Sequence, residues 1–189
     1  GNDYVISGRI LNFMNYGSHS SRTRPLMIGV HKKYRNTIVP FDLYPAYRTE
    51  KTIRDVIGLF PSLEWGEITD TDFYHAFRTY SPEMRSWIHD LKEGQSAFDN
   101  EDPNKRPHRI VHGERIENTR KNRDKYTRQQ WDRFVQCVHT RNDQLAAQNT
   151  IHPVEDRVFS IRELMTMMTI PENFRWINMD LQTLNALSP

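Results

Sequence analysis
The chain is poor in features that mark whole classes of protein. One cysteine, Cys137, among 189 residues excludes an internal disulfide framework and fits a reducing compartment. No apolar run approaches the roughly 18 residues needed to cross a bilayer, and no stretch has the order of a secretory leader. Neither a membrane span nor export is therefore expected. No internal repeat is visible. His108, His112, His139 and His152 could offer imidazoles to a divalent metal, as in a small nuclease, but no pair stands in a ligand motif on an expected helix, so no metal site is expected. The net charge is only +2, which points to no partner by itself.

That near-neutral total hides two opposed blocks. Residues 62–102 carry three Lys/Arg against ten Asp/Glu, a balance of −7, and residues 105–128 carry nine against three, a balance of +6. One surface facing phosphate and another facing solvent or a partner domain would give such asymmetry; two solvated faces would also give it. The basic block is interleaved with His108, His112, Asn118, Asn122, Tyr126 and Gln129, types that contact phosphate and base edges. Lys105, Arg106, Lys121 and Arg123 are thus candidate phosphate contacts. Arg109 and, in the run RNDQLAAQN, Arg141, Asn142, Gln144 and Gln148 are candidates for base edges, because their forked donors and acceptors match guanine and adenine.

Local patterns place short elements in a loop-rich chain. Residues 4–13 alternate and read as a strand, residues 25–30 as a buried strand after a turn, and the two can pair as a hairpin. Residues 52–57 read as a short helix stopped by Gly58. Ser81-Pro82-Glu83 is a strong helix start, predicting a helix to about Lys92 that buries Met84, Trp87, Ile88 and Leu91. Residues 97–126 lose period and read as loops with a few short strands; residues 133–139 read as a strand, and residues 180–187 as a weak terminal helix. Ser160-Ile161-Arg162-Glu163 has capping-box spacing, so a helix should begin at Ser160, with Ile161, Leu164, Met167 and Met168 on its apolar face and Pro171 past its end. Arg157 lies on its approach, where an Arg–carboxylate fork would fix the helix against what precedes it. Cys137 sits in the apolar context FVQCVH with no thiolate-stabilising neighbour, and is expected to pack rather than react.

Two of these stretches carry a resemblance. His152-Pro153, Arg157, Ser160-Ile161-Arg162-Glu163, then Pro171 and Phe174 resembles motif IX of the DNA (cytosine-5) methyltransferases. Tyr16-Gly17-Ser18-His19-Ser20-Ser21-Arg22-Thr23-Arg24 before an apolar run resembles their motif VIII, with Ser20 standing where the family usually has Gln. Residues 52–61 look like a segment common at the start of the family's target-recognition region.

The resemblance implies an α+β fold: a strand hairpin from the end of the catalytic domain (residues 1–50), a loop-rich mixed recognition domain with several short helices (51–150), and a motif IX helix returning toward the catalytic domain (151–189). It implies flipping of a cytosine out of duplex DNA and attack on its C6 by a cysteine thiolate, with negative charge shifting onto the ring and O2. Arg24, supported by Arg22, would then stabilise that charge. Cys137 resembles no family nucleophile. The methyl donor S-adenosylmethionine would be bound elsewhere, since the Gly-rich loop, the Pro-Cys nucleophile, the Glu-Asn-Val motif and the final Gly-x-x-x-Pro segment are all missing. The chain begins Gly-Asn-Asp and ends Leu-Ser-Pro, so a piece of a longer protein is expected. Double-stranded DNA and the N-terminal catalytic half are its implied partners, no membrane is involved, and a bacterial cytoplasmic location at the nucleoid within a restriction-modification system is implied. The alternatives are a DNA-recognition subunit of a split enzyme and a DNA-binding module without catalysis.

Overall fold
The computed structural model describes residues 3–44, 50–67, 69, 71–119 and 124–175. The architecture is α+β: two separate two-stranded antiparallel ribbons, three short helices and long irregular connections. β1 (Tyr4–Asn12) pairs with β2 (Thr23–His31) in unbroken register from Tyr4↔His31 to Asn12↔Thr23. Asn12 turns the chain by accepting the Met14 N–H at 3.1 Å. Gly17, at φ 89, then occupies the left-handed conformation that side chains resist. One face of this ribbon is closed by residues 40–44: the Arg9 guanidinium stacks 4.7 Å from the Phe41 ring centroid, and the Tyr44 hydroxyl donates to the Ser7 carbonyl at 3.0 Å.

The remainder packs on two apolar clusters. One gathers Trp87, Ile88, Leu91, Ala97, Tyr126, Leu145, Ile151 and Val158, and the other Ile53, Val56, Ile57, Val135, Phe159 and Met167. Val158 and Phe159 are consecutive residues on an extended segment, so they point to opposite sides and stitch the two clusters together. α1 (Ile53–Ile57) begins with a reciprocal cap: Thr52 Oγ1 accepts the Asp55 N–H at 3.3 Å and the Asp55 carboxylate accepts the Thr52 N–H at 2.8 Å. α2 (Pro82–His89) starts on Ser81 as the pattern predicts and buries Trp87 and Ile88. It stops short of Lys92 because the backbone beyond it is captured elsewhere: the Lys92 N–H goes to the Gln95 side chain at 2.8 Å and the Gly94 N–H to the Arg128 carbonyl at 2.9 Å. The 97–126 region contains one ribbon, β3 (His108–Val111) and β4 (Glu114–Glu117).

Three further expectations are corrected. β2 is not a buried strand: of its nine residues only Val30 is buried and Met27 is 71% exposed, because it belongs to a ribbon of only two strands. Residues 133–139 form no strand: Val135 makes a single bridge to Ser20 and Phe134 a single bridge to Thr52, so two different segments share the backbone and no partner runs alongside. α3 (Ile161–Met167) begins at Ser160, yet its inward face is Arg162, Glu163, Met165 and Met167, while Ile161 is 47% and Met168 39% exposed. The charged side chains go inside because each meets a partner there. The expected helix over 180–187 lies outside the described residues. Among the described residues no helix is long and apolar enough to cross a membrane.

Candidate nucleic-acid interface
The start of α3 is a dense network of charge. The Ser160 hydroxyl accepts the Glu163 N–H at 3.1 Å, and the Glu163 carboxylate accepts the Ser160 N–H at 2.7 Å. That carboxylate also takes both terminal nitrogens of Arg157, each at 2.8 Å, and both residues are 1% exposed. Arg157 Nε donates to Glu155 at 2.6 Å. Arg162 makes a second fork, to Asp72 at 2.5 and 3.0 Å. His75 joins the Ser160 hydroxyl, at 3.0 Å, to the Pro61 carbonyl, at 2.9 Å. Arg128, also buried, donates to Asp156 at 2.6 Å and to the carbonyls of Ile88, His152 and Glu155. Bringing ions out of water is costly unless every donor is used, and here forked geometry and bridging carbonyls use nearly all of them. The network pins the segments around Pro61 and Asp72–Ala76 to the chain from 152 to 163.

The electrostatics follow from this packing. Burial pushes the Glu163 carboxyl up, but the Arg157 bonds and charge outweigh it and hold the group below the usual carboxylate range. Asp72 is lowered in the same way, with burial opposed by Arg162. His152 goes the other direction. Burial lowers it to about 4, and its Nδ1 accepts the Glu155 N–H at 3.0 Å, so the ring is neutral with its proton on Nε2.

Next to this network lies a junction between distant parts of the chain. The His19 N–H donates to the Thr169 hydroxyl at 2.9 Å, and His19 Nδ1 lies 2.9 Å from the Thr166 carbonyl at the end of α3. The Ser21 N–H donates to the Val135 carbonyl at 2.8 Å, while the Ile53 N–H takes the Arg133 carbonyl at 2.8 Å. Residues 131–138 are thereby held between the returning arm of the hairpin and α1. Arg22 and Arg24 ride on the strand that leaves the junction. Arg22 is half-buried and Arg24 exposed. Arg24 donates only to the neighbouring Thr23 carbonyl, at 2.7 Å, and neither guanidinium has a carboxylate partner among the described residues.

The segments that meet here are the two whose motifs are distinctive, and the match extends along the chain between them: the model of the family described as C-5 cytosine-specific DNA methylase matches residues 1–186. The chain belongs to that family. It is also 25% identical, over 174 residues, to the type II methylase M.HgiDII of Herpetosiphon aurantiacus, an alignment covering 92% of this chain and 47% of that protein. The chain spans about half the length of this curated relative.

S-adenosylmethionine, which the family implies, does not fit the residues present. The described sheets are two-stranded antiparallel ribbons, with no parallel strands and no Gly-rich strand-to-helix turn that could cradle an adenosyl group. No step is assigned to it in this chain. Nor do three His, Cys, Asp or Glu side chains gather as a metal-ligand set among the described residues. His108 lies 2.7 Å from Glu83, and His152 is enclosed by Trp131 and Phe159.

The basic and acidic blocks partly consume one another. Lys105 pairs with Asp90, His108 with Glu83, and Arg128 is interior rather than facing outward as its place in the basic run suggests. Arg106 Nε donates to the Asn100 carbonyl at 2.8 Å, and Arg109 is exposed. Lys121 and Arg123 lie outside the described residues. In the 141–149 run, Asn142 is buried with its amide donating to the His139 carbonyl, Arg141 donates to Gln144 at 2.7 Å, and Gln148 is half-buried beside Lys125. The Asn142 amide is thus turned inward rather than toward a groove. Cys137 is half-buried and lines a small cavity with Ile53, Val135, Asn142 and Met167. Sequence reasoning missed Asp72, His75, Arg128 and Asp156. Nothing local in the sequence marks them, because their partners lie far along the chain.

Proposed function
We propose that this chain is the target-recognition and flipped-cytosine-binding part of a DNA (cytosine-5) methyltransferase that uses S-adenosylmethionine, as in a type II restriction-modification system, with cofactor and thiolate supplied by an N-terminal catalytic half. The observation that carries the reading is the junction at Ser20, Ser21 and His19, where the segment resembling motif VIII reaches both residue 135 and the end of the motif IX-like helix. Coverage of only 47% of the relative supports a division into halves. DNA would be held by the basic segment, with Lys105, Arg106, Lys121 and Arg123 against phosphate, and Arg109, Arg141, Gln144 and Gln148 available to bases. Arg24 would hold the O2 edge of the extruded cytosine, with Arg22 behind it. A guanidinium without a carboxylate partner keeps its full charge for a developing anion.

Calorimetry and a methyl-transfer assay test this together. The isolated chain should bind duplex DNA but neither bind S-adenosylmethionine nor methylate; the complete protein carrying it should label cytosine C5. Micromolar cofactor binding by the isolated chain would overturn the division into halves. Sequence-specific DNA binding without any methylation by the complete protein would leave a non-catalytic recognition module.

A further inference from the structure
We propose that the β3–β4 ribbon is the element that reads base edges in the major groove, with Arg109 as the principal specificity-determining residue and Ile116 beside it contacting an apolar base edge. This rests on the reading of the chain as a DNA target-recognition part. The ribbon is fixed at its root and free at its tip. His108 is buried against Trp87, with ring centroids 5.3 Å apart, and the Asn118 N–H donates to the Pro107 carbonyl at 2.9 Å. Arg115 is spent on the root, donating to Asn104 at 3.1 Å and to the Pro103 carbonyl. The turn is His112-Gly113, at φ 52 and 83, the left-handed two-residue form whose twist matches its strands. A Cβ built on Gly113 meets nothing within 4 Å, so the tip stands in open space.

Such a ribbon needs no further part of the fold, yet it carries aliphatic side chains outside: Ile110 is 60% and Ile116 39% exposed. The register Arg109↔Ile116 puts these two directly across from one another on one face, with Val111 and Glu114 next along it. The Arg109 guanidinium has no hydrogen bond or ion pair with any described residue. A forked donor next to an aliphatic group is the combination that distinguishes guanine from a neighbouring thymine methyl, and the major groove is wide enough for a two-stranded ribbon. The run 141–148 is less suited. Leu145 is fully buried there, Asn142 points inward, Asp143 is held by Arg78 and Tyr80, and the Gln144 side-chain oxygen is taken by Arg141.

The test is selection by the complete protein from a pool of duplexes with a randomised core, followed by affinity measurement on the enriched and on a scrambled duplex at several salt concentrations. Arg109→Lys keeps the charge but loses the fork. It should erase the base preference at one position and lower affinity for the enriched duplex about tenfold, with scrambled binding and salt slope unchanged. Ile116→Ala should relax preference at an adjacent position. If Arg109→Lys and Arg109→Ala both select the wild-type sequence, the ribbon is not the reader, although the recognition reading stands. If the wild-type protein enriches no sequence and binds no duplex, both fall, and the exposed ribbon belongs to a protein partner.

Discussion
Two sets of arginines divide this molecule. Around α3, Arg128, Arg157 and Arg162 are 1–4% exposed and their guanidinium groups are committed to Asp156, Glu163, Glu155 and Asp72. On the hairpin and the ribbon, Arg24 and Arg109 stand exposed with no carboxylate partner among the described residues. The same side chain is a rivet in one place and an open receptor in the other, and what separates the two is the presence of a second charge rather than the residue type. A committed arginine can be removed only at the expense of the fold, whereas an uncommitted one should cost the fold nothing and its function much.

The sharpest break of this comparison is Glu163→Ala. It strands Arg157 in the interior with Glu155 alone, and loss of one member of a buried pair costs about 3 to 5 kcal/mol. The urea midpoint of the chain should fall accordingly, and a shift equivalent to under about 1 kcal/mol would mean that water reaches this network. Arg24→Ala is the counterpart. Stability should stay within about 0.5 kcal/mol, as at surface sites without partners. Single-turnover methylation by the complete protein should slow by the equivalent of about 2 to 4 kcal/mol, with duplex affinity little changed. Equal single-turnover rates would make Arg24 structural.

How much of this division could be read beforehand depends on how local its causes are. The Ser160-x-x-Glu163 spacing gives the start of α3, and Ser81-Pro82 the start of α2, because a cap is satisfied within four residues. The hairpin was legible from alternation around a Tyr-Gly turn. The inward face of α3 was not, since Arg162 is buried only because Asp72, ninety positions away, comes to meet it. Residues 133–139 failed for the same reason: an apolar alternating run becomes a strand only where a neighbour pairs along it, and here two segments each take one residue. The acidic block supplies Asp72, Glu83 and Asp90 to pairs within the chain, which charge counting along the sequence does not show.

A milder perturbation of the committed set is pH. His152 is neutral and enclosed, lowered by burial from the ordinary imidazole value of about 6.5 to about 4, and its neighbours are Glu163, Arg157, Glu155 and Arg128. The unfolded chain takes up a proton at a higher pH than the native one does. The stabilisation from a neutral His152 is therefore complete above about pH 6.5 and is lost as pH falls toward 4, by about 3 kcal/mol in all. Glu163 and Asp72, both lowered, add losses further into acid. Urea midpoints from pH 8 to 4 should decline mainly below 6.5. His152→Asn should flatten that decline, and a profile identical to wild type would place the pH sensitivity elsewhere.

The smallest effect belongs to arginines between the two classes, paired but exposed. Arg78 donates to Asp143 at 3.0 Å with both side chains about half exposed. Water screens such a pair, and its net contribution is about 0 to 1 kcal/mol. The main chain at this point is held without it: the Tyr80 hydroxyl donates to the Asp143 carbonyl at 2.6 Å, the Thr150 hydroxyl to the Gln144 carbonyl at 3.0 Å, and Leu145 is fully buried. Arg78→Ala should hence lower stability by under about 1 kcal/mol and leave the 141–148 run in place. A double-mutant cycle with Asp143→Ala isolates the pair. A coupling above about 2 kcal/mol, or a loss of duplex affinity in the Arg78 variant alone, would show that exposure is not what sorts these arginines. Position along the DNA-facing surface would then have to take its place.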